Sequence, residues 1–186
     1  MRVLVLSILS LWLLAASLAT SAACTDTTGR SDRESTAPYH LGPGDQIRIM
    51  VYGEPGLSMT FMVNQRGSVN YPFIGQVQLA GKSLSEIEAT IARRLKGDYL
   101  REPMVSVTME HFRRFYITGE IEAPNGYEYL PGLTIEQAIA LAGGLTDRAD
   151  DDDIQIRHSG RELQKDVPVT CPVHPGDTII IGKSFF

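Results

Sequence analysis

Three groups of residues in this chain could do chemistry, and they differ in kind. The first is one thiol at a boundary. Ser21-Ala22-Ala23-Cys24 sets small residues directly before a cysteine at the end of an apolar N-terminal run. A thiol there can carry a diacylglycerol thioether once the leader is cut, as at a lipoprotein processing site. Leucine is the commoner residue where Ser21 stands. Ser21 and Ala23 also satisfy the small-x-small rule of ordinary cleavage, which would leave Cys24 to pair with Cys171. Lipidation of Cys24 is the expectation carried forward, with Thr25 rather than Asp after it, so that the outer membrane is the expected address. The second group is aromatic. Asn70-Tyr71-Pro72-Phe73-Ile74-Gly75 places two rings beside a proline, in a segment read as too short and broken for a regular strand. Exposed rings stack on sugar faces, so Tyr71 and Phe73 are candidates to meet a carbohydrate; the competing reading is that they plug the domain's own core.

The third group is titratable, and its spacing argues against catalysis. His40, His111, His158 and His174 show no His-x-x-x-His spacing, and Cys24 and Cys171 no Cys-x-x-Cys. A Gly-x-Ser-x-Gly elbow and a Gly-x-x-x-x-Gly-Lys phosphate loop are also missing from the sequence. The run Asp147-Arg-Ala-Asp-Asp-Asp-Asp153 offers hard oxygen ligands but lacks the alternate spacing and turn glycine of an EF-hand loop, so a solvated loop is expected. No cofactor, no metal and no catalytic residue are predicted. A carbohydrate-cleaving enzyme would rest on abundant carboxylates alone.

Composition narrows the classes further. Arg2 and the run from Val3 to Leu18 form a secretory leader over residues 1–23; the run is about 16 residues long, short of the roughly 20 that span a bilayer. Removing the leader takes one arginine and no acid from a chain of formal net charge −5, which argues against nucleic acid as a partner. Residues 24–38 are polar and without hydrophobic period, and read as a flexible tether.

The elements that must position the candidates begin at Tyr39. Ile47, Ile49 and Val51 alternate with polar neighbours as in a half-buried strand, and strands are also predicted over Phe61 to Val63, Val77 to Leu79 and Val105 to Met109. Between the last two, Ser83 and Glu86 have capping-box spacing and Leu84, Ile87, Ile91 and Leu95 share a helix face, with a stop at Lys96-Gly97. A second unit starts near Phe112. It has a strand from Phe115 to Ile121, a hairpin turn at Pro124-Asn125-Gly126 with a return strand from Tyr127 to Leu130, and a helix capped by Thr134 and Gln137. Gly143-Gly144 ends that helix, and strands follow around Ile154 to Arg157 and Thr178 to Ile181. The expected fold class is α+β: two small β-rich domains, 39–111 and 112–186, each with one helix on a sheet. One echo is internal. Pro43-Gly44-Asp45 recurs as Pro175-Gly176-Asp177 ahead of an alternating strand, and reads as a structural turn used twice.

These residues carry a resemblance. Tyr39-x-Leu-Gly-Pro-Gly-Asp45, Gly67-x-Val-x-Tyr-Pro-x-Ile-Gly75-x-Val-x-Leu-Ala-Gly81, the helix from Ser83 to Leu95 and Pro103-x-Val-x-Val107 resemble the export domain of outer-membrane polysaccharide export proteins of the Wza type. Ile117-Thr-Gly-Glu-Ile121, Pro124-x-Gly126, Leu133-Thr-Ile135 and Ala142-Gly-Gly144 resemble the soluble-ligand-binding β-grasp (SLBB) domain that accompanies it. The resemblance implies a non-catalytic lipoprotein that forms a homo-oligomeric ring beneath the outer membrane. It also implies a polysaccharide substrate passing through and an inner-membrane polysaccharide co-polymerase as partner. Larger members add a second β-grasp domain and a C-terminal helix that lines the membrane pore. This chain is therefore expected to be a complete short member, served by a separate outer-membrane pore protein or acting as a tethered periplasmic ring. The alternative is a monomeric periplasmic module holding a carbohydrate or small ligand.

Overall fold

The computed structural model describes residues 38–97 and 99–184. The leader, Cys24 and the expected tether lie outside them. The fold is mixed α+β, as the alternating runs and two capped helices predict.

β1 (Gln46–Val51) is central in an antiparallel sheet of order β2-β1-β5, with β2 at Met59–Met62 and β5 at Val105–His111. Ile47, Ile49 and Val51 point into the core while Arg48 and Met50 face out, the period-2 pattern of a strand with one buried face. A hairpin of β3 (Ser68–Tyr71) and β4 (Gly75–Gln78) lies apart from this sheet, and α1 (Leu84–Leu95) follows. α1 starts where predicted: the Ser83 hydroxyl accepts from the Glu86 N–H, and the Glu86 carboxylate accepts from the Ser83 N–H at 2.8 Å. Ile87, Ile91 and Leu95 bury its apolar stripe in a core that runs from Leu41 to Val107.

The second core runs from Phe115 to Ile181. Its five-stranded sheet has the order β7-β6-β10-β8-β9, comprising β6 (Phe115–Gly119), β7 (Asn125–Tyr127), β8 (Ala149–Arg157), β9 (Leu163–Gln164) and β10 (Thr178–Lys183). β10, last in sequence, runs parallel to β6 and antiparallel to β8 in the middle of the sheet. α2 (Ile135–Leu141) contributes Ile135 and Ala138, and Thr134 with Gln137 forms the expected capping box. Gly119 has φ near 94° and lies so close to the Ile181 carbonyl that any Cβ would collide with it.

Three local expectations are corrected. Residues 70–71 belong to β3, because Val69 and Tyr71 alternate inward with Asn70 outward; only residues 72–74 form the loop. The hairpin turn expected at 124–126 is absent. The Glu122 and Ala123 N–H groups bond to the Gly144 and Ala142 carbonyls, so residues 120–124 are held against the end of α2 and Asn125–Tyr127 is itself the return strand. Gly126 fits there because the Tyr116 ring covers its face. The acidic run is not a loop: 149–153 is the first half of β8, extended past Ile154 by pairing of Ala149 with Lys183. Asp is depleted in strands, which is why composition misled.

Candidate functional site

Both Pro-Gly-Asp turns fold alike, and together they frame the junction of the two cores. Gly44 and Gly176 take φ values of 92° and 88°, a region glycine enters without steric cost. Each turn then lets its aspartate reach back: Asp45 Oδ2 accepts from the Gly42 N–H, and Asp177 Oδ2 from the His174 N–H, both at 2.7 Å. Both carboxylates are buried, with Asp45 0 % and Asp177 1 % exposed.

Arg113 joins them. It lies in the short link between β5 and β6, and its backbone N–H donates to Asp45 Oδ1 at 2.8 Å. Its guanidinium donates to Asp45 Oδ2 at 3.2 Å, to the Tyr39 hydroxyl at 3.0 Å and, through Nε, to the Pro175 carbonyl at 2.9 Å. The Tyr39 hydroxyl in turn donates to Asp45 at 2.6 Å. Burial, then the hydrogen bond to Asp45 and its charge, push the Tyr39 hydroxyl far above the usual phenol range. Phe112 sits edge-on between Tyr39 and Tyr129, with ring centroids at 5.0 and 5.3 Å. One arginine, one buried carboxylate and three rings thus fix how the first core meets the second. Asp45 is saturated with donors, so this arrangement is a clamp and offers no free base.

The two aromatic candidates separate. Tyr71 is 1 % exposed, its ring beside Phe61 and its hydroxyl donating to the Leu57 carbonyl at 2.6 Å. Burial pushes that hydroxyl up to about 12. Tyr71 is therefore a core residue and presents no face to a ligand, so the expectation placed on it is corrected. Phe73 is 66 % exposed at the tip of the β3–β4 loop. The Ile74 N–H donates to the Pro72 carbonyl at 2.8 Å around Phe73, whose φ is 65°. That is a γ-turn of the strained hand at a residue that carries a Cβ. Tyr99, 47 % exposed, stands beside it with centroids 5.3 Å apart and donates to the Phe73 carbonyl at 3.0 Å. The exposed ring pair is Phe73 with Tyr99. Sequence distance hid Tyr99, since 26 residues separate the two.

A cavity of about 260 Å³ opens beside the second turn, lined by Arg113, Ile156, His158, Gln164, His174 and Asp177 among others. His158 Nδ1 and His174 Nδ1 lie 2.9 and 3.6 Å from Asp177 Oδ2. Burial raises the Asp177 carboxyl, but hydrogen bonds from the His158 and His174 side chains and the His174 backbone outweigh it, and the net shift is downward. Asp150, Asp151 and Asp152 form the other metal-competent group among the described residues. Cys171 is buried in the second core and is not a free thiol.

Two segments of the chain match family models. Residues 33–110 match the polysaccharide biosynthesis/export protein family, and residues 114–169 match the SLBB domain. The exopolysaccharide production protein ExoF of Rhizobium meliloti is 34% identical over 124 residues, covering 60% of this chain and 29% of that protein. The EPS I polysaccharide export outer membrane protein EpsA of Ralstonia nicotianae is 24% identical over 175 residues, covering 78% of this chain and 45% of its own length. The polysialic acid transport protein KpsD of Escherichia coli is 25% identical over 157 residues, covering 77% and 28%. The chain spans less than half the length of each of these relatives. Among the described residues no helix is long and apolar enough to cross a membrane.

Proposed function

We propose that this chain, which carries a polysaccharide biosynthesis/export domain followed by an SLBB domain, is a component of a polysaccharide export machine on the periplasmic side of the outer membrane. The observation that carries the reading is the ordered pair of domain matches, together with relatives whose names refer to exopolysaccharide production, polysaccharide export and polysialic acid transport. The chain acts as a conduit subunit and not as a catalyst. Copies assemble head to tail into a ring, which requires two different complementary faces per subunit held at a fixed angle. The Arg113 clamp supports that requirement, since it makes the angle between the cores a property of the subunit. Exposed Met50, Tyr52 and Met104 on the first domain, and Tyr116 and Leu130 on the second, supply apolar surface for the two faces.

Phe73 and Tyr99 are proposed to touch the passing polymer. Rings stack on sugar faces weakly, which suits a chain that must slide. Cys24 is proposed as the acylated anchor, and an inner-membrane co-polymerase and an outer-membrane pore protein as partners. An acyl thioether and a disulfide to Cys171 would use the same sulfur, so mass analysis of the mature N-terminus distinguishes the two fates of Cys24.

The assembly is tested by measuring the mass of the delipidated protein in solution while sugar oligomers are titrated in. A particle of several copies without saturable ligand uptake supports the conduit. A monomer that binds one oligomer stoichiometrically supports the binding-module alternative and removes the ring.

A further inference from the structure

We propose that His158, His174 and Asp177 form a binding site for a divalent transition-metal cation of the Zn²⁺ type, at the end of the sheet where β8 and β10 meet. The inference is independent of the export role. Arg157 pairs with Thr178 across these strands, so the next residue along β8, His158, and the last before β10, Asp177, are neighbours by register. The same turn that buries Asp177 brings His174 back over it through the 2.7 Å bond from its backbone N–H. Three ligand atoms of metal-binding type therefore converge from two paired strands and one tight turn, all within 4.8 Å of one another.

The spacing fits a metal. A tetrahedral Zn²⁺ with bonds of about 2.0–2.2 Å holds its ligand atoms roughly 3.3–3.5 Å apart. The His158 and His174 Nδ1 atoms lie 2.9 and 3.6 Å from Asp177 Oδ2 and bracket that value. Two imidazoles and one carboxylate are a donor set for Zn²⁺, Co²⁺ or Ni²⁺, not for Ca²⁺ or Mg²⁺, which take oxygen shells. The cavity beside the cluster leaves the remaining coordination position open to water or to a ligand oxygen.

Charge supplies the second argument. The twin turn at Asp45 neutralises its carboxylate with the Arg113 guanidinium. The ion-pair partners of Asp177 among the described residues are the two histidines, which carry charge only when protonated. A divalent cation bound at the two rings gives that carboxylate a countercharge that does not depend on proton uptake. Arg113 and Arg161 also line the cavity and oppose a cation, but the Arg113 guanidinium is engaged by Asp45. Binding requires both Nδ1 atoms unprotonated, because a metal and a proton compete for the same lone pair.

The test uses the chain without an affinity tag. Zn²⁺ is titrated calorimetrically, Co²⁺ is titrated for ligand-field absorption, and Ca²⁺ serves as control. One Zn²⁺ per chain is expected, with a rise in the thermal midpoint that Ca²⁺ does not give. His158→Gln and His174→Gln should each weaken Zn²⁺ by more than the roughly 10–100-fold that loss of an outer-shell partner costs, and should abolish the tetrahedral Co²⁺ spectrum. The His174 ring is half exposed, so His174→Gln keeps the fold and remains informative if His158→Gln does not. Absence of stoichiometric Zn²⁺ binding overturns the proposal. So does binding that survives both substitutions, which would place the metal at Asp150–Asp152.

Discussion

Arg113→Met keeps an apolar stem and removes the guanidinium. Three side-chain hydrogen bonds are lost, to Asp45, Tyr39 and the Pro175 carbonyl, together with the cation 5.9 Å over the Tyr39 ring. Asp45 stays behind at 0 % exposure. Stripping one partner from a fully buried pair costs about 3–5 kcal/mol, because the other charge is stranded. Here the Arg113 side chain is 23% exposed, and Asp45 keeps donors from the Gly42 N–H, the residue-113 N–H and the Tyr39 hydroxyl. Both facts lower the cost, to about 2–3 kcal/mol. That is a large part of the roughly 5–15 kcal/mol that holds a domain folded. Urea unfolding at neutral pH measures it, followed by far-UV circular dichroism and tyrosine fluorescence, since the single tryptophan, Trp12, falls in the leader. The clamp also predicts coupling: Asp45→Asn should cost less in the Arg113→Met background than alone, because no charge is then left stranded. A cost within about 0.5 kcal/mol, the level of an exposed pair, together with additive behaviour, would falsify the claim that this arginine sets the junction.

Four further outcomes follow from the same structure. Phe73→Gly relieves the positive φ at the loop tip and should raise stability by about 1 kcal/mol while lowering polymer export; a more stable variant with full export takes Phe73 off the polymer path. Asp177→Asn should destabilise by about 1–3 kcal/mol at neutral pH. Because the folded carboxyl titrates below its ordinary 3.8, that contribution is complete above about pH 4 and is lost as pH falls through the lowered value, so the two unfolding curves should converge in acid; a gap unchanged down to the lowest pH would contradict this. Cys24→Ser should leave the leader uncut by lipoprotein processing and move the protein out of the outer-membrane fraction, and unaltered processing and fractionation would end the anchor proposal. Gly119→Ala forces a Cβ against the Ile181 carbonyl at φ near 94° and should cost more than about 2 kcal/mol by thermal unfolding, whereas a neutral change would mean that β6 and β10 can slide apart.

What could be read from the sequence was local, and what could not was a matter of distance along the chain. Ser83 with Glu86 and Thr134 with Gln137 announce helix starts because a cap is completed within four residues. The two Pro-Gly-Asp turns were visible for the same reason. Their different partners were not: Arg113 is 68 residues from Asp45, and His158 is 19 from Asp177. The ring pair failed in the same way. Tyr71 and Phe73 are two apart, so alternation sends one into the core, and the ring that joins Phe73 at the surface comes from Tyr99. The acidic run shows the opposite failure, in which propensity pointed to a loop and the pairing of Ala149 with Lys183 drew it into a strand.

The central claim is that this chain serves polysaccharide export, and the most direct measurement is the polymer itself. Cells lacking the chain, and the same cells with it restored, are assayed for polysaccharide outside the cell and in the periplasm. Loss of the extracellular polymer, its retention inside the cell and recovery on restoring the chain are the predicted result; an unchanged amount outside the cell would contradict the account.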